Sequence, residues 1–264
     1  MNLDLTGKKA LVAGSTQGIG KAAAMELALL GANVTLVARN EPRLKTVQEL
    51  LDTSKGQVHD YIIADFAEPE ILQKKILLYC QEKRLSEFHI LVNNTGGPQG
   101  GNIYDASIEE FKQAYSQHLI CNHLLVQILV PLMKQAGYGR IINVISTSVK
   151  EPIDGLGVSN TTRWAVASWA KTLAGELGQY GITVNNVLPG FTKTARLDSI
   201  INSQSAKSGK DADVIEKSML STVPARRFAS ADEIGAAVAF LASPAASYIN
   251  GINLPVDGGR TKSL

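Results

Sequence analysis

Short aliphatic and β-branched runs alternate with longer stretches in which apolar positions recur every three to four residues, almost to the end of the chain. The short runs predict strands at 8–14 (KKALVAG), 33–38 (NVTLVA), 57–64, 88–93 (FHILVN), 139–146 (GRIINVIS), 182–188 (ITVNNVL) and 249–256. The helical period predicts helices at 18–30, 41–53, 68–83, 107–136, 157–180 and 231–242. Strand and helix repeated in this way imply right-handed crossovers, and hence a doubly wound α/β fold of about seven parallel strands with helices on both faces. No glycine/serine linker and no repeat of about 20–50 residues interrupts the pattern, so a single domain over 1–264 is expected. The stretch 190–228 lacks strand character and contains the polar run INSQSAKSGKDAD, which marks it as a functional insertion. In such sheets ligands sit beyond the carboxyl ends of the strands, so residues that end strands or begin helices carry the chemistry.

Composition narrows the function. Of 264 residues 45% are hydrophobic, enough for a packed core. Lys and Arg (26) nearly balance Asp and Glu (24) without long like-charge blocks, which argues against nucleic acid or an anionic membrane as partner. Cys80 and Cys121 are too few for a disulfide framework and the start Met1-Asn2-Leu3-Asp4 lacks a signal profile, so a cytoplasmic location is expected. The greasiest helical stretch, Leu124 to Met133, is interrupted by Gln127 and Pro131, and no membrane span is expected from it. His118 and Cys121 share a helix face, yet no third ligand completes a metal site.

The first strand runs into Gly14-Ser15-Thr16-Gln17-Gly18-Ile19-Gly20 and then an Ala-rich helix. Glycines let the backbone turn sharply against a pyrophosphate, and the helix start offers free N–H groups and a positive dipole end. A dinucleotide is therefore expected here. After the second strand come Arg39 and Asn40, where an NAD-selective site usually places an acid on the ribose 2′-hydroxyl. A guanidinium can instead clasp a 2′-phosphate, which favours NADP(H) over NAD(H). Asp65, before Phe66, suits either the adenine amino group or a helix N-cap.

Several further motifs occur in a fixed order. They are Asn93-Asn94-Thr95-Gly96 after the fourth strand, Gly139-Arg140-Ile141-Ile142-Asn143 leading to Ser146, Pro189-Gly190 and Thr192 after the sixth, Arg227-Phe228 before Asp232-Glu233-Ile234, and Val256-Asp257-Gly258-Gly259. With the glycine turn they make the sequence resemble the short-chain dehydrogenase/reductase family, a Rossmann fold, in the branch that includes 3-oxoacyl-acyl-carrier-protein reductases. The resemblance covers nearly the whole chain. It implies hydride transfer between a nicotinamide and a carbonyl or alcohol, with 190–228 as substrate lid. It also implies a homodimer or homotetramer built on the helices at 107–136 and 157–180.

The family pattern further implies a tetrad of Asn, Ser, Tyr and Lys, and three of its four positions differ here. Ser146 is kept, the Asn position holds His118, the Tyr position holds Ser159 and the Lys position Arg163, with the register fixed downstream by Lys171 to Leu177. Tyr79 and Lys83 form a Tyr-x-x-x-Lys decoy, expected at the sheet edge opposite the cofactor. A serine hydroxyl and an arginine are both too weakly acidic to replace a phenol as general acid. His118 is the candidate proton donor, while Arg163 is expected to bind the ribose and stabilise an oxyanion. The seven bases and four acids between Thr192 and Arg227 read as a solvated loop. The resulting expectation is an NADP(H)-dependent oxidoreductase interconverting a ketone and a secondary alcohol; the alternative is a catalytically silent NADP(H)-binding protein.

Overall fold

Alternate residues of the central strands feed two different cores. In β1 (Lys9–Ala13), Ala10 and Val12 point to one side and Leu11 to the other, as a period of two requires. The computed structural model describes residues 1–263. Seven parallel strands lie in the order β3-β2-β1-β4-β5-β6-β7: β2 (Asn33–Ala38), β3 (Asp60–Ile63), β4 (Ile90–Asn93), β5 (Gly139–Val144), β6 (Ile182–Pro189) and β7 (Asn253–Val256). One face carries α1 (Gly18–Leu29), α2 (Glu41–Leu50) and α9 (Ala231–Ala242) over Leu27, Leu36, Ile90 and Val238. The other carries α3 (Pro69–Glu82), α5 (Cys121–Ala136) and α6 (Gly157–Leu177) over Leu11, Leu91, Leu125 and Ile141. The strand order reverses between β1 and β4, the switch point at which such folds bind ligands.

Boundaries differ from the sequence expectation for local reasons. The helix expected at 41–53 ends at Leu50, because Leu51 is extended and the Asp52 carboxylate accepts from the Ser54 N–H. The strand expected at 57–64 pairs only from Asp60, since Val58 N–H donates to the Asn33 side chain and Val34 N–H to His59. Before β7, the Asn250 side chain accepts from Val184 N–H and so takes the place of a strand rung.

The helix expected at 107–136 is α4 (Ile108–Tyr115), a π turn over Ser116–Ile120, and α5 without a break. This corrects one expectation: Ile108–Ala136 is long and apolar enough, by length and composition, to cross a membrane. Its face of Cys121, Leu125, Leu129 and Met133 is instead buried against the sheet. The loop expected at 190–228 is also corrected. It folds into α7 (Ala195–Ser208) and α8 (Ala212–Ser221), packed together through Leu197, Ile201, Ile215 and Met219.

The decoy pair lies where expected. Lys83 forms an ion pair of 2.6 Å with Asp60 at the start of β3, and Tyr79 hydroxyl lies 3.0 Å from that of Thr35. Both are therefore away from the carboxyl ends of the strands.

Candidate active site

The turn after β1 is shaped by close approach. Gly14 sits at φ +61°, and a Cβ on it would lie 2.4 Å from the Asn94 carbonyl oxygen. A Cβ on Gly20 would lie 2.3 Å from the Gly14 carbonyl oxygen and 2.6 Å from Asn94 Nδ2. The Asn94 amide donates to the carbonyls of Ala13 and Gly14 (3.2 and 3.3 Å) and so holds the turn. Gln17 at the start of α1 makes no side-chain cap, and Lys21 is the first N–H to find a backbone acceptor there. The N–H groups of Gly18, Ile19 and Gly20 are thus left for an anion, so the cradle fits the pyrophosphate of a dinucleotide.

Side chains of the turn divide by task. Ser15, expected as a cofactor contact, is fully buried and its hydroxyl accepts from Val37 N–H at 3.1 Å, which commits it to β2. Thr16 is half-buried with no hydrogen bond among the described residues. Gln17 accepts from Arg43 Nη1 at 3.1 Å.

Arg39 is exposed and lies 3.5 Å from the Asp65 carboxylate. Asn40 serves as the N-cap of α2, accepting from Arg43 N–H at 2.9 Å, so its side chain is spent on the helix. Asp65 is not a helix N-cap: α3 is preceded by Glu68, and Asp65 accepts from Ala67 N–H within a turn. Arg43, which sequence reasoning missed, lies in the first turn of α2 and reaches Gln17 of the glycine turn. Its signal was its place in the first turn of a helix that begins next to the expected 2′-phosphate.

Asn93 is 2% exposed and belongs to a row of amides across the sheet. It donates to Asn143, which donates to Asn186, which donates to Asn253, at 2.8, 2.9 and 2.8 Å. Its Nδ2 is therefore directed along the sheet, while its Oδ1 is buried without a partner. Beyond it, Thr95 shares a short hydrogen bond with His118 Nδ1 in the π turn, and π turns inside helices are frequent at functional sites. Phe66 borders the same region and its carbonyl accepts from the Cys121 thiol at 3.2 Å. Burial pushes that thiol up to about 12. Among the described residues no group of three metal-ligating side chains occurs.

His118 is fully buried and its Nε2 has no partner. Burial first, and then the Arg163 guanidinium, push its pKa down to about 2. The ring is therefore held neutral near pH 7. His89 is buried as well and pushed down to about 4 by desolvation and Lys8. Unfolding lets both rings take up protons below their ordinary value of 6.5, so stability held above that pH is lost as the pH falls. Between pH 6 and 5 each contributes a slope approaching ~1.4 kcal/mol per pH unit. Urea unfolding at stepped pH should show this, and His118→Asn should remove about half of the slope.

Arg163 is 6% exposed on α6, donates to the Val144 carbonyl at 3.4 Å, and keeps its charge although burial and then Arg196 lower its pKa to about 10. Ser159 precedes it by one helical turn and its hydroxyl has no partner among the described residues. Ser146, just after β5, accepts from Ser148 N–H at 3.0 Å and can still donate. Trp164 N–H donates to the Ser148 carbonyl at 2.8 Å, which clamps α6 to this segment.

At the start of the 190–228 segment, Pro189 ends β6, and a Cβ on Gly190 would lie 2.6 Å from Asp257 Cα. Thr192 is 6% exposed and donates to the Gly190 carbonyl at 3.1 Å. Thr194 places Cγ2 3.2 Å from where a Cβ on Gly18 would be, so the residues just before α7 and the glycine turn touch. Tyr104 is 96% exposed and directs no phenol inward. Hydrogen bonds run from the glycine turn to Asn94 and from Thr95 to His118, whose ring feels the charge of Arg163 at the Val144 strand end. Gly96 lies exposed beside that path.

Known proteins share this sequence pattern and fold. A family model described as enoyl-(acyl carrier protein) reductase matches residues 13–261. The 3-oxoacyl-[acyl-carrier-protein] reductase FabG of Haemophilus influenzae is 34% identical over 97% of this chain and 98% of its own. The NADPH-dependent reductase BacG of Bacillus subtilis is 29% identical over 97% and 99%. The crystal structure of L-sorbose reductase from Gluconobacter frateurii, complexed with NADPH and L-sorbose, superposes at a TM-score of 0.92, with 30% identity over all of both chains. Family model, relatives and fold agree from the glycine turn to the last strand, and the chain belongs to the short-chain dehydrogenase/reductase family.

Proposed function

We propose that this chain is an NADP(H)-dependent oxidoreductase that interconverts a ketone and a secondary alcohol, with Ser159 and Arg163 where the family pattern has Tyr and Lys. One observation carries the reading: Ser146 and the Arg163 guanidinium meet the carboxyl end of β5, while a cradle that only glycine can line stands at the end of β1. When bound, the dinucleotide supplies or accepts a hydride at its nicotinamide.

The chain's own groups do the rest. Gly18, Ile19 and Gly20 N–H groups hold the pyrophosphate, and Arg39 with Arg43 receives the 2′-phosphate. Asn94, Thr95, Gly96, Pro189, Gly190 and Thr192 wall the nicotinamide side. Ser146 donates to the substrate oxygen, and Arg163 binds the ribose and stabilises developing negative charge without moving a proton. The closing proton comes from solvent, because His118 is neutral and Ser159 is a poor acid. Neutral His118 positions Thr95. Helices α7 and α8 act as the lid of a single domain. Half-buried Trp169 and exposed Trp164 on α6, with exposed Ile120 in the π turn before α5, suit a homodimer or homotetramer seam.

Two measurements test this. NADPH consumption with a panel of ketones should exceed the solution rate. Arg39→Ala should weaken NADPH binding by about tenfold or more while leaving NADH binding unchanged, since charge-assisted bonds to the extra phosphate are lost. Tight NADPH binding without turnover across the panel favours the silent-binder alternative, which the buried, neutral state of His118 supports.

A further inference from the structure

Arg163 is a buried cation without a carboxylate. Among the described residues no acid lies within ion-pair distance of it, or of Arg196 in the first turn of α7. Buried charges are ordinarily paired, because desolvating an unpaired ion is costly. The charge that bears on Arg163 is another cation, Arg196. The two guanidiniums meet at one place: Nη2 of Arg196 and Nη2 of Arg163 lie 3.7 and 3.9 Å from where a Cβ on Gly97 would be. Gly97 leaves that space open. Arg196 is held there by donating to the Pro98 carbonyl at 2.6 Å, and Arg163 by the Val144 carbonyl. Each retains unused N–H donors, and a fork of this kind matches a carboxylate.

A ribose on Arg163 offers hydroxyls and no charge, so a bound dinucleotide does not neutralise the pair. The anionic phosphates belong at the glycine turn and at Arg39, at other places in the crevice. We propose that Arg163 and Arg196 form a carboxylate-binding pair around Gly97, so that the carbonyl substrate of this chain is an oxo acid. The proposal rests on the oxidoreductase reading and adds the substrate class to it. The lid contributes one of the two cations, so an anion between them also draws α7 onto the site.

The test uses the NADPH-loaded protein and three oxo acids, pyruvate, acetoacetate and levulinate, each beside its neutral methyl ester. Binding is read by calorimetry and turnover by NADPH consumption. At least one acid should bind at least about tenfold more tightly than its ester, with a preference that shrinks as salt rises. Arg196→Met should bring the ratio of acid to ester close to one, and Arg196→Lys should restore part of it. Equal binding of every acid and ester, no binding of any, or an unchanged ratio in Arg196→Met overturns the proposal. Turnover of esters without acid preference defeats the anion pair and leaves the oxidoreductase standing. Acid binding without turnover of any compound does the reverse.

Discussion

Gly20→Ala should lose NADPH binding by about 10²–10⁴-fold while the protein stays folded enough to measure. The added methyl would lie 2.3 Å from the Gly14 carbonyl oxygen and 2.6 Å from the Asn94 amide, neither of which is a free end that can swing away. The turn must open, and the first N–H groups of α1 then miss the pyrophosphate. Charge-assisted bonds of this kind are worth about 1.5–3 kcal/mol each, and losing two of them sets the expected range. Calorimetric titration measures the loss, and circular dichroism separates it from unfolding. Retained affinity would mean that the dinucleotide binds elsewhere.

Ser146→Ala should lower kcat by about 10²–10³-fold with a small change in NADPH affinity. Its hydroxyl is the neutral donor at the end of β5, accepting from Ser148 N–H and free to direct its proton at a substrate oxygen. Removing one donor to a developing oxyanion typically costs this much. Because Arg163 remains, the loss should be partial. His118→Asn should cost far less, since a neutral imidazole N–H is a very weak acid and its Nδ1 is engaged by Thr95. Steady-state kinetics on any turned-over ketone compares the three proteins, and a Ser146→Ala rate equal to the parent would remove Ser146 from the chemistry.

The parallel sheet was legible because its strands are nearly continuous apolar runs between turn residues, and the glycine turn because a crowded backbone excludes every side chain. Arg163 and Ser146 could be placed from motif order. Helices α7 and α8 were not, although Leu197 with Ile201, and Ile215 with Met219, carry the four-residue spacing within a polar stretch. That signal is weak because only two buried residues mark each helix. The fate of His118 could not be read either. Its partner Thr95 lies far away in sequence, and its charge depends on burial and on Arg163, both products of tertiary packing. Asn40 and Ser15 show the same gap: residue type suggested a ligand contact, and backbone N–H groups claimed each side chain first.

Calorimetric titration of the unmodified protein with NADPH and with NADH tests the central claim most directly. The account predicts one dinucleotide per chain, with NADPH bound at least about tenfold more tightly than NADH. No heat with either nucleotide would contradict it.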